Sequence, residues 1–252
     1  REAVCLFLRY NNIPAPYSIF TGIRKLEPGC LLTLSRTQPK PKISKYWSAV
    51  DQIKKGIASP FSGTPLEAVD KLEMLSKDAI KQQMVADVPL GAFLSGGKDS
   101  SAVVALMQSQ SSQKIKTFSI GFKEESYNEA VYAKLIANHL GTDHTELYVA
   151  PDVAREVIPK LPLLYDEPFA DSSQIPTFLV AQLARQHVTV SLSGDGGDEL
   201  FGGYNRYQLT ANLWGKLDLL PRPFRKLTAK GIEAIPPKVW DSICRFIPGS
   251  QQ

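Results

Sequence analysis

Apolar segments of strand length alternate with amphipathic helical segments along residues 88–192, and this alternation constrains the fold more than any other feature of the chain. The predicted strands are residues 88–94, 115–120, 145–149 and 188–192. The predicted helices are residues 100–110, 128–140, 152–161 and 175–187. Units of this kind favour an α/β fold in which a parallel sheet has helices on both faces. Ligands of such sheets bind beyond the carboxyl ends of the strands.

The sequence upstream of this alternation predicts a helix and two short strands. The helix is residues 1–10, because Pro14 and Pro16 in the next segment cannot continue it. Residues 30–34 and 43–47 have strand patterns, and a turn rich in Pro and Lys separates them. These elements do not follow the strand–helix alternation of residues 88–192 and are therefore expected to lie outside the parallel sheet.

A linker and a capped helix are predicted next. Residues 52–63 contain Gly, Ser and Pro and indicate a linker. Thr64, Pro65 and Glu67 form the pattern of a helix N-terminus with a capping box, and the helix should end near Met84. The expected division of the chain is an N-terminal segment with a linker at 1–63, a catalytic core at 64–210 and a helical part at 211–252.

Composition narrows the class of protein and its partners. The 252 residues are 43% hydrophobic and 21% charged, which excludes a disordered or collagen-like chain. The net charge is only +4, with basic residues in excess at 1–60 and 206–252 and acidic residues in excess between them. A nucleic-acid partner is therefore not expected.

The cysteines and the lack of a long apolar stretch predict a reduced, cytoplasmic protein. Cys5, Cys30 and Cys244 are far apart and form no Cys-x-x-Cys pair, so we expect small buried thiols. No apolar run approaches the roughly 18 residues that span a membrane. The histidines, which lack the spacing of metal ligands, are His139, His144 and His187.

A glycine-rich loop between a predicted strand and a predicted helix is the first candidate site. Gly96 and Gly97 let backbone N–H groups approach an anion, and the helix N-terminus adds partial positive charge. Asp99 alone would repel phosphate, which points to a bridging cation such as Mg²⁺; the alternative is a plain turn in which Asp99 caps the helix. The candidate phosphate-binding residues are Ser95, Gly96, Gly97, Asp99, Ser100 and Ser101.

A second glycine-rich segment, residues 193–204 with the sequence SGDGGDELFGGY, directly follows the last predicted strand. Together with LSGGKDS at 94–100, TFSIG at 117–121 and DEPFAD at 166–171, it resembles the synthetase domain of glutamine-hydrolysing asparagine synthetases. These proteins belong to the ATP-pyrophosphatase (PP-loop) family. The segments PAPYSI and GIRKLEPG near residues 14–29 also match the sequence that precedes that domain. The resemblance covers roughly residues 1–210.

The resemblance implies an adenine nucleotide alpha hydrolase-like fold and an ATP-dependent ligase. The β-carboxylate of aspartate would attack the α-phosphate of ATP, giving β-aspartyl-AMP and pyrophosphate, and ammonia would then displace AMP to form asparagine. The candidate catalytic residues are Asp99, Asp195 and Asp198, of which Asp99 and Asp198 would hold Mg²⁺. Asp195 stands where many relatives carry Glu. Further contacts with ATP are expected from Leu94, Ile120, Ser193 and Gly194.

Ammonia is expected from glutamine, hydrolysed by an N-terminal glutaminase domain of the same polypeptide that would precede Arg1. Cys5 lies within a helical pattern and is not expected to be the glutaminase nucleophile. A second copy of the chain is a further candidate partner. The alternatives are a related amidotransferase acting on another carboxylate of a polysaccharide or secondary metabolite, a β-lactam synthetase-like enzyme, a PP-loop tRNA-modifying enzyme and a nucleotide-binding scaffold without activity.

Overall fold

The computed structural model describes residues 1–122, 128–236 and 239–240. Its strands are β1 (Cys30–Ser35), β2 (Gln38–Lys45), β3 (Leu90–Phe93), β4 (Lys116–Phe122), β5 (Asp143–Val149) and β6 (Val190–Leu192). Its helices are α1 (Glu2–Tyr10), α2 (Ala49–Ala58), α3 (Pro65–Gln83), α4 (Lys98–Gln108), α5 (Ala130–Leu140), α6 (Pro151–Val157), α7 (Leu161–Leu164), α8 (Gln174–Ala184), α9 (Gly197–Phe201), α10 (Asn205–Asp218) and α11 (Arg222–Ala234). Two compact units divide the chain, residues 1–194 and 195–252.

The predicted strand–helix alternation forms a four-stranded parallel sheet in the first unit, with the strand order β5-β4-β3-β6. From β3 the chain moves outward to β4 and then β5, and it returns to the other side of β3 as β6. Ala92 in β3 therefore pairs with Thr117 on one side and Leu192 on the other. The strand order therefore reverses between β3 and β6, and open α/β sheets bind ligands in the crevice at such a position, beyond the carboxyl ends of the strands.

Helices cover both faces of the sheet, as the sequence predicted. Alternate residues of β3 and β4 point to opposite faces, so each strand is buried on both sides. On one face, side chains of α3, α4 and α5 pack against the sheet through Ile80, Val104, Met107, Ala133 and Ala137. On the other face, Phe118 contacts Leu183 and Ala184 of α8, while Val149 packs with Val157 and Leu179. The α/β class with helices on both faces is confirmed.

The capped helix was predicted correctly, since α3 begins with the expected capping box. The backbone N–H of Glu67 donates to the Thr64 hydroxyl at 3.3 Å, and the Thr64 N–H donates to the Glu67 carboxylate at 2.7 Å. Pro65 occupies the first helical position, where its missing N–H costs nothing. The local sequence alone was sufficient because every contact of this cap lies within one turn.

The linker predicted at 52–63 is wrong over most of its length, because helix α2 extends to Ala58. Ser48 caps this helix by accepting the Asp51 N–H at 3.3 Å. Val50, Ile53 and Ile57 recur at helical spacing, which outweighs the modest cost of a glycine inside the helix. The expected domain boundaries at 63/64 and 210/211 stay predictions.

The Pro/Lys-rich turn predicted between two strands is also wrong. Residues 39–42 lie inside β2, and the chain reverses at Arg36 and Thr37 instead. A two-stranded hairpin consists of edge strands, where proline does not remove a needed ladder hydrogen bond. The register of the strand pairing shifts between Thr33 and Ser35, just before the chain reverses.

Two smaller predictions also change in the structure. The helix predicted at 152–161 is divided into α6, a 3-10 turn at Ile158–Lys160 and α7, because Pro159 and Pro162 each lack an N–H donor. Cys5 is exposed and Cys30 half-buried, so the expectation of buried thiols is wrong for Cys5, and Cys244 lies outside the described residues. Within the part of the chain that is described, no helix is both long and apolar enough to cross a membrane.

Candidate functional site

The first glycine-rich loop connects the carboxyl end of β3 to the N-terminus of α4, as predicted. Gly97 is the N-cap residue of α4 and makes no side-chain hydrogen bond to the first turn, and helix N-termini of this kind suit anions. Gly96 has a φ of +83°, and a Cβ there would lie 2.8 Å from the Tyr132 Cβ and 2.9 Å from the Ala133 nitrogen. Glycine is therefore required at position 96 both by the backbone and by the close packing against α5.

Hydroxyl groups hold this loop in shape. The Ser95 and Ser100 hydroxyls are 2.9 Å apart, and the backbone N–H of Ser95 donates to Ser100 Oγ at 3.2 Å. The Ser101 hydroxyl donates to the Gly97 carbonyl at 2.6 Å. Ser100 is buried, whereas Ser95 is exposed. The serines thus organise the loop internally, and their contact with phosphate stays a prediction.

The loop after β6 lies directly against the first loop. A Cβ at Gly194 would be 2.5 Å from the backbone nitrogen of Ser100 and 2.9 Å from the carbonyl carbon of Asp99. Only glycine allows this approach, because no side chain fits between the two backbones. The structure therefore brings together Gly194 and the start of α4, two predicted site elements nearly a hundred positions apart in the sequence.

Leu94 and Ile120, the predicted apolar contacts of adenine, occupy different layers of the first unit. Leu94 is only 1% exposed and packs in the core beneath α3, α4 and α5. Ile120 is half-buried and packs beside Val149 on the opposite face of the sheet. Both side chains contribute to the core, and their contact with a nucleotide stays a prediction.

The second unit contains the acidic residues of the glycine-rich segment at 195–204. Asp195 is exposed, and Asp198 is half-buried in the first turn of α9. Gly196 precedes α9 with a φ of +89°, and the Gly203 N–H donates to the Asp198 carbonyl at 3.0 Å. A Cβ at Gly203 would lie 1.9 Å from Asp198 Oδ1, so this glycine leaves room for the carboxylate.

Aromatic side chains cluster at the end of the glycine-rich segment, in the second unit. The Tyr204 hydroxyl donates to Glu199 Oε1 at 2.9 Å, and this hydrogen bond raises the pKa of Tyr204. The Arg206 guanidinium stacks over the Tyr204 ring at 4.2 Å, and the Tyr207 ring meets Tyr204 edge-on. These contacts hold together the chain that follows α9.

The donor set suits Mg²⁺, although no cluster of three His, Cys, Asp or Glu side chains occurs within the described ranges 1–122, 128–236 and 239–240. Mg²⁺ in nucleotide sites is usually held by one or two carboxylates together with phosphate oxygens and water, so a third protein ligand is not needed. Asp99, half-buried in the first turn of α4, is a carboxylate of this kind. Mg²⁺ binding by Asp99 and Asp198 stays a prediction.

Sequence reasoning missed an ion pair between two segments that each carried a recognisable motif. Lys25 pairs with Glu167 across 142 positions of sequence, and the two residues line a cleft of about 810 Å³ with Ile13, Phe20 and Tyr165. The sequence held a signal at both ends, since GIRKLEPG and DEPFAD were singled out. Nothing in either motif indicated that they meet, because a long-range contact leaves no periodic pattern.

Comparisons with known proteins show which family the chain resembles. Residues 71–243, well over half of the chain, match the family described as asparagine synthase. A putative glutamine-hydrolysing asparagine synthetase 2 of Methanocaldococcus jannaschii is 40% identical over 81% of this chain and 38% of its own length. A putative glutamine-hydrolysing asparagine synthetase of Mycobacterium bovis is 36% identical over 89% of this chain and 33% of its own length.

A third relative gives the same result. The glutamine-hydrolysing asparagine synthetase 1 of Bacillus subtilis is 34% identical over 82% of this chain and 32% of its own length. The chain thus spans about a third of the length of the curated relatives it matches. The match includes both glycine-rich loops and the sheet that carries them. The chain belongs to the asparagine synthase family.

Proposed function

We propose that this chain is the ATP-using region of a ligase that converts aspartate to asparagine through β-aspartyl-AMP. The observation that carries the proposal is the close approach of Gly194 to Ser100, which joins two glycine-rich loops at the crevice between β3 and β6. A site built from backbone N–H groups at a helix N-terminus suits an anion such as pyrophosphate. The relatives' names supply the substrate class, because they are described as asparagine synthetases.

Each predicted site residue has a defined task in this proposal. The backbone of Gly96 and Gly97 and the N-terminus of α4 bind the phosphates, with Ser95, Ser100 and Ser101 shaping the loop. Ser193 and Gly194 would lie beside the nucleotide, together with the backbone at Leu94 and Ile120, whose side chains are packed in the core. Asp195 takes part in forming or aminating the adenylate, by positioning the reacting groups rather than by covalent attack.

Asp99 and Asp198 are the residues that would hold Mg²⁺ beside the phosphates. When bound, the ion would neutralise charge that develops on the pyrophosphate leaving group. The chain's own contribution is to set the position of Asp99, which the first turn of α4 fixes directly after the glycine loop. Asp198 is held in the same way by the first turn of α9.

The partners follow from the same proposal. Ammonia is expected from glutamine, hydrolysed by an N-terminal glutaminase domain in the full-length protein. The length of the relatives supports this, since the chain covers only about a third of each. A homodimer and a cytoplasmic location remain part of the proposal.

ATP–pyrophosphate exchange tests the proposed function. The full-length protein is incubated with ATP, Mg²⁺, labelled pyrophosphate and one carboxylate at a time, with glutamate as the matched control for aspartate. We expect exchange that requires aspartate. Exchange that requires a different acid, with none for aspartate, would replace asparagine synthesis with the amidation of another carboxylate. Release of ADP instead of AMP would overturn both.

A further inference from the structure

Residues 11–25 are fastened to residues 165–170 by hydrogen bonds that meet at Glu167. Its carboxylate pairs with the Lys25 ammonium and accepts the backbone N–H of Ile19 at 3.3 Å. The Lys25 ammonium also donates to the Ile13 carbonyl at 2.5 Å, so the same cation closes the segment on itself. We call the contacts of Glu167 with Lys25 and Ile19 the Glu167 clasp.

The surroundings make the Glu167 clasp more than a surface ion pair. The Glu167 side chain is 20% exposed and the Lys25 side chain 36%, and Ile13 beside them is buried. A further backbone hydrogen bond, from the Ala170 N–H to the Asn11 carbonyl at 2.8 Å, holds the same two segments together. Partial burial and three hydrogen bonds in addition to the ion pair itself give Lys25 and Glu167 a defined geometry, unlike most exposed ion pairs.

The fold places Glu167 and its neighbours in the chain at the carboxyl edge of the sheet, the edge at which such sheets bind ligands. Helix α8 runs back along the sheet toward the start of β6, so its N-terminus lies at the carboxyl edge of the strands. Residues 165–173 lead into that N-terminus. The Asp171 carboxylate accepts the Ser173 N–H at 2.8 Å, which lowers the pKa of Asp171 and fixes the turn before α8.

The first glycine-rich loop, residues 95–101, which we call the phosphate loop, is held by contacts that do not involve Glu167. Gly96 packs against the start of α5, and Gly194 packs against the start of α4. The serine hydroxyls close the loop within residues 95–101. Loss of the Glu167 clasp is therefore expected to leave the phosphate-binding geometry intact while it releases residues 165–171.

We propose that Glu167 is a positioning residue: through Lys25 and Ile19 it holds residues 165–171 at the carboxyl edge of the sheet, where they orient the carboxylate substrate that reacts with ATP. The inference rests on the proposed function for the existence of that second substrate. It assigns a task to two motifs that the nucleotide site itself does not use. It also makes the position of residues 11–25 a determinant of activity.

The test compares the Glu167→Gln, Lys25→Met and Lys25→Glu/Glu167→Lys variants of the full-length protein. In ATP–pyrophosphate exchange, the single variants should raise the KM for aspartate on the order of tenfold, because released residues 165–171 bind and orient the substrate less well. The dissociation constant for ATP should stay within about twofold of the wild-type value, since the phosphate loop is untouched. The double variant, which restores an ion pair with reversed charges, should recover part of the loss.

Glu73→Gln is the matched control, because it breaks the exposed Glu73–Lys77 ion pair on α3 and should leave both constants unchanged. If Glu167→Gln weakened ATP binding by the same factor as it raised the KM for aspartate, the positioning role would be overturned. An unchanged KM for aspartate would overturn it as well. Amide hydrogen–deuterium exchange tests the Glu167 clasp independently of the proposed function. The single variants should speed exchange in residues 11–25 and 165–171 but not in residues 95–101, and unchanged exchange would refute the clasp even if aspartate proves to be the wrong substrate.

Discussion

Gly194 and Ser100 are in backbone contact, so close that a Cβ on Gly194 would lie 2.5 Å from the Ser100 nitrogen. Gly194 follows β6, and Ser100 lies in the first turn of α4. The contact joins the loop after β6 to the helix that follows β3. The two segments are far apart in the chain, because β4, β5 and helices α5 to α8 lie between them. It joins the two glycine-rich loops at the point where we propose that the nucleotide binds.

Gly194→Ala should weaken ATP binding and destabilise the protein. The added methyl group must displace either the first turn of α4 or the loop after β6, and overpacking of this kind costs about 1–3 kcal/mol. Thermal unfolding and calorimetric titration with ATP measure the two effects. Gly56→Ala is the control, because Gly56 lies within α2, where an added Cβ would meet no neighbouring atom within 4 Å. Wild-type ATP affinity in Gly194→Ala would contradict the crevice assignment.

Asp99→Asn should abolish ATP–pyrophosphate exchange while the fold survives. The substitution removes a carboxylate that is proposed to bind Mg²⁺, but it removes no core atom. Loss of the negative charge at the N-terminus of α4 should lower the free energy of unfolding by only about 0.5 kcal/mol. The measurement is exchange at several Mg²⁺ concentrations, with circular dichroism as the check on folding. Asp70→Asn, an exposed carboxylate on α3, should behave as wild type. Full exchange in Asp99→Asn would remove Asp99 from the site.

Asp195→Asn should lower the rate of adenylate formation or its amination far more than it lowers ATP affinity, since the proposed task of Asp195 is positioning and not phosphate binding. Asp195→Glu keeps the carboxylate on a longer arm and should retain part of the activity. Single-turnover formation of AMP, followed with and without ammonia, shows which step is affected. Wild-type activity of the Asn variant would show that the charge at position 195 is not needed.

His144 should make the stability of the protein pH-dependent. Its Nδ1 lies 2.9 Å from the Thr117 hydroxyl and its Nε2 lies 3.2 Å from the Ser119 hydroxyl, under helix α5. Burial lowers the pKa of His144 below its usual 6.5, although the nearby Glu146 opposes this shift. The unfolded chain therefore binds this proton more readily than the folded protein, and stability is lost as the pH falls below about 6.5.

Chemical denaturation at pH 7.5 and at pH 5.5 measures this loss. His144→Gln should reduce the difference in unfolding free energy between the two pH values, because glutamine keeps polar contacts without taking up a proton. His139→Gln is the matched control, since His139 is exposed on α5 and should leave the difference unchanged. An identical pH difference in wild type and His144→Gln would show that other groups carry the effect.

Local sequence was enough to predict the elements that position the site. The Thr64 capping box, the strand–loop–helix pattern around Gly96 and the glycine-rich segment after β6 all depend on residues close together in the chain. Helix α2 was missed because Gly56 and the Ser and Pro residues after it resemble a linker when helical spacing is given little weight. The strand β2 was shortened because its prolines were interpreted as a turn, although edge strands tolerate them.

The sequence by itself determined the α/β class, the two glycine-rich loops and the family, because hydrophobic periodicity and glycine spacing are local properties that survive without a structure. Only the tertiary structure decided that Gly194 lies against Ser100, that Leu94 is buried in the core, and that Lys25 meets Glu167. Each of these depends on which residues the packed sheet and helices bring together. Such contacts are set by burial and chain topology across long sequence separations, and no local pattern encodes them.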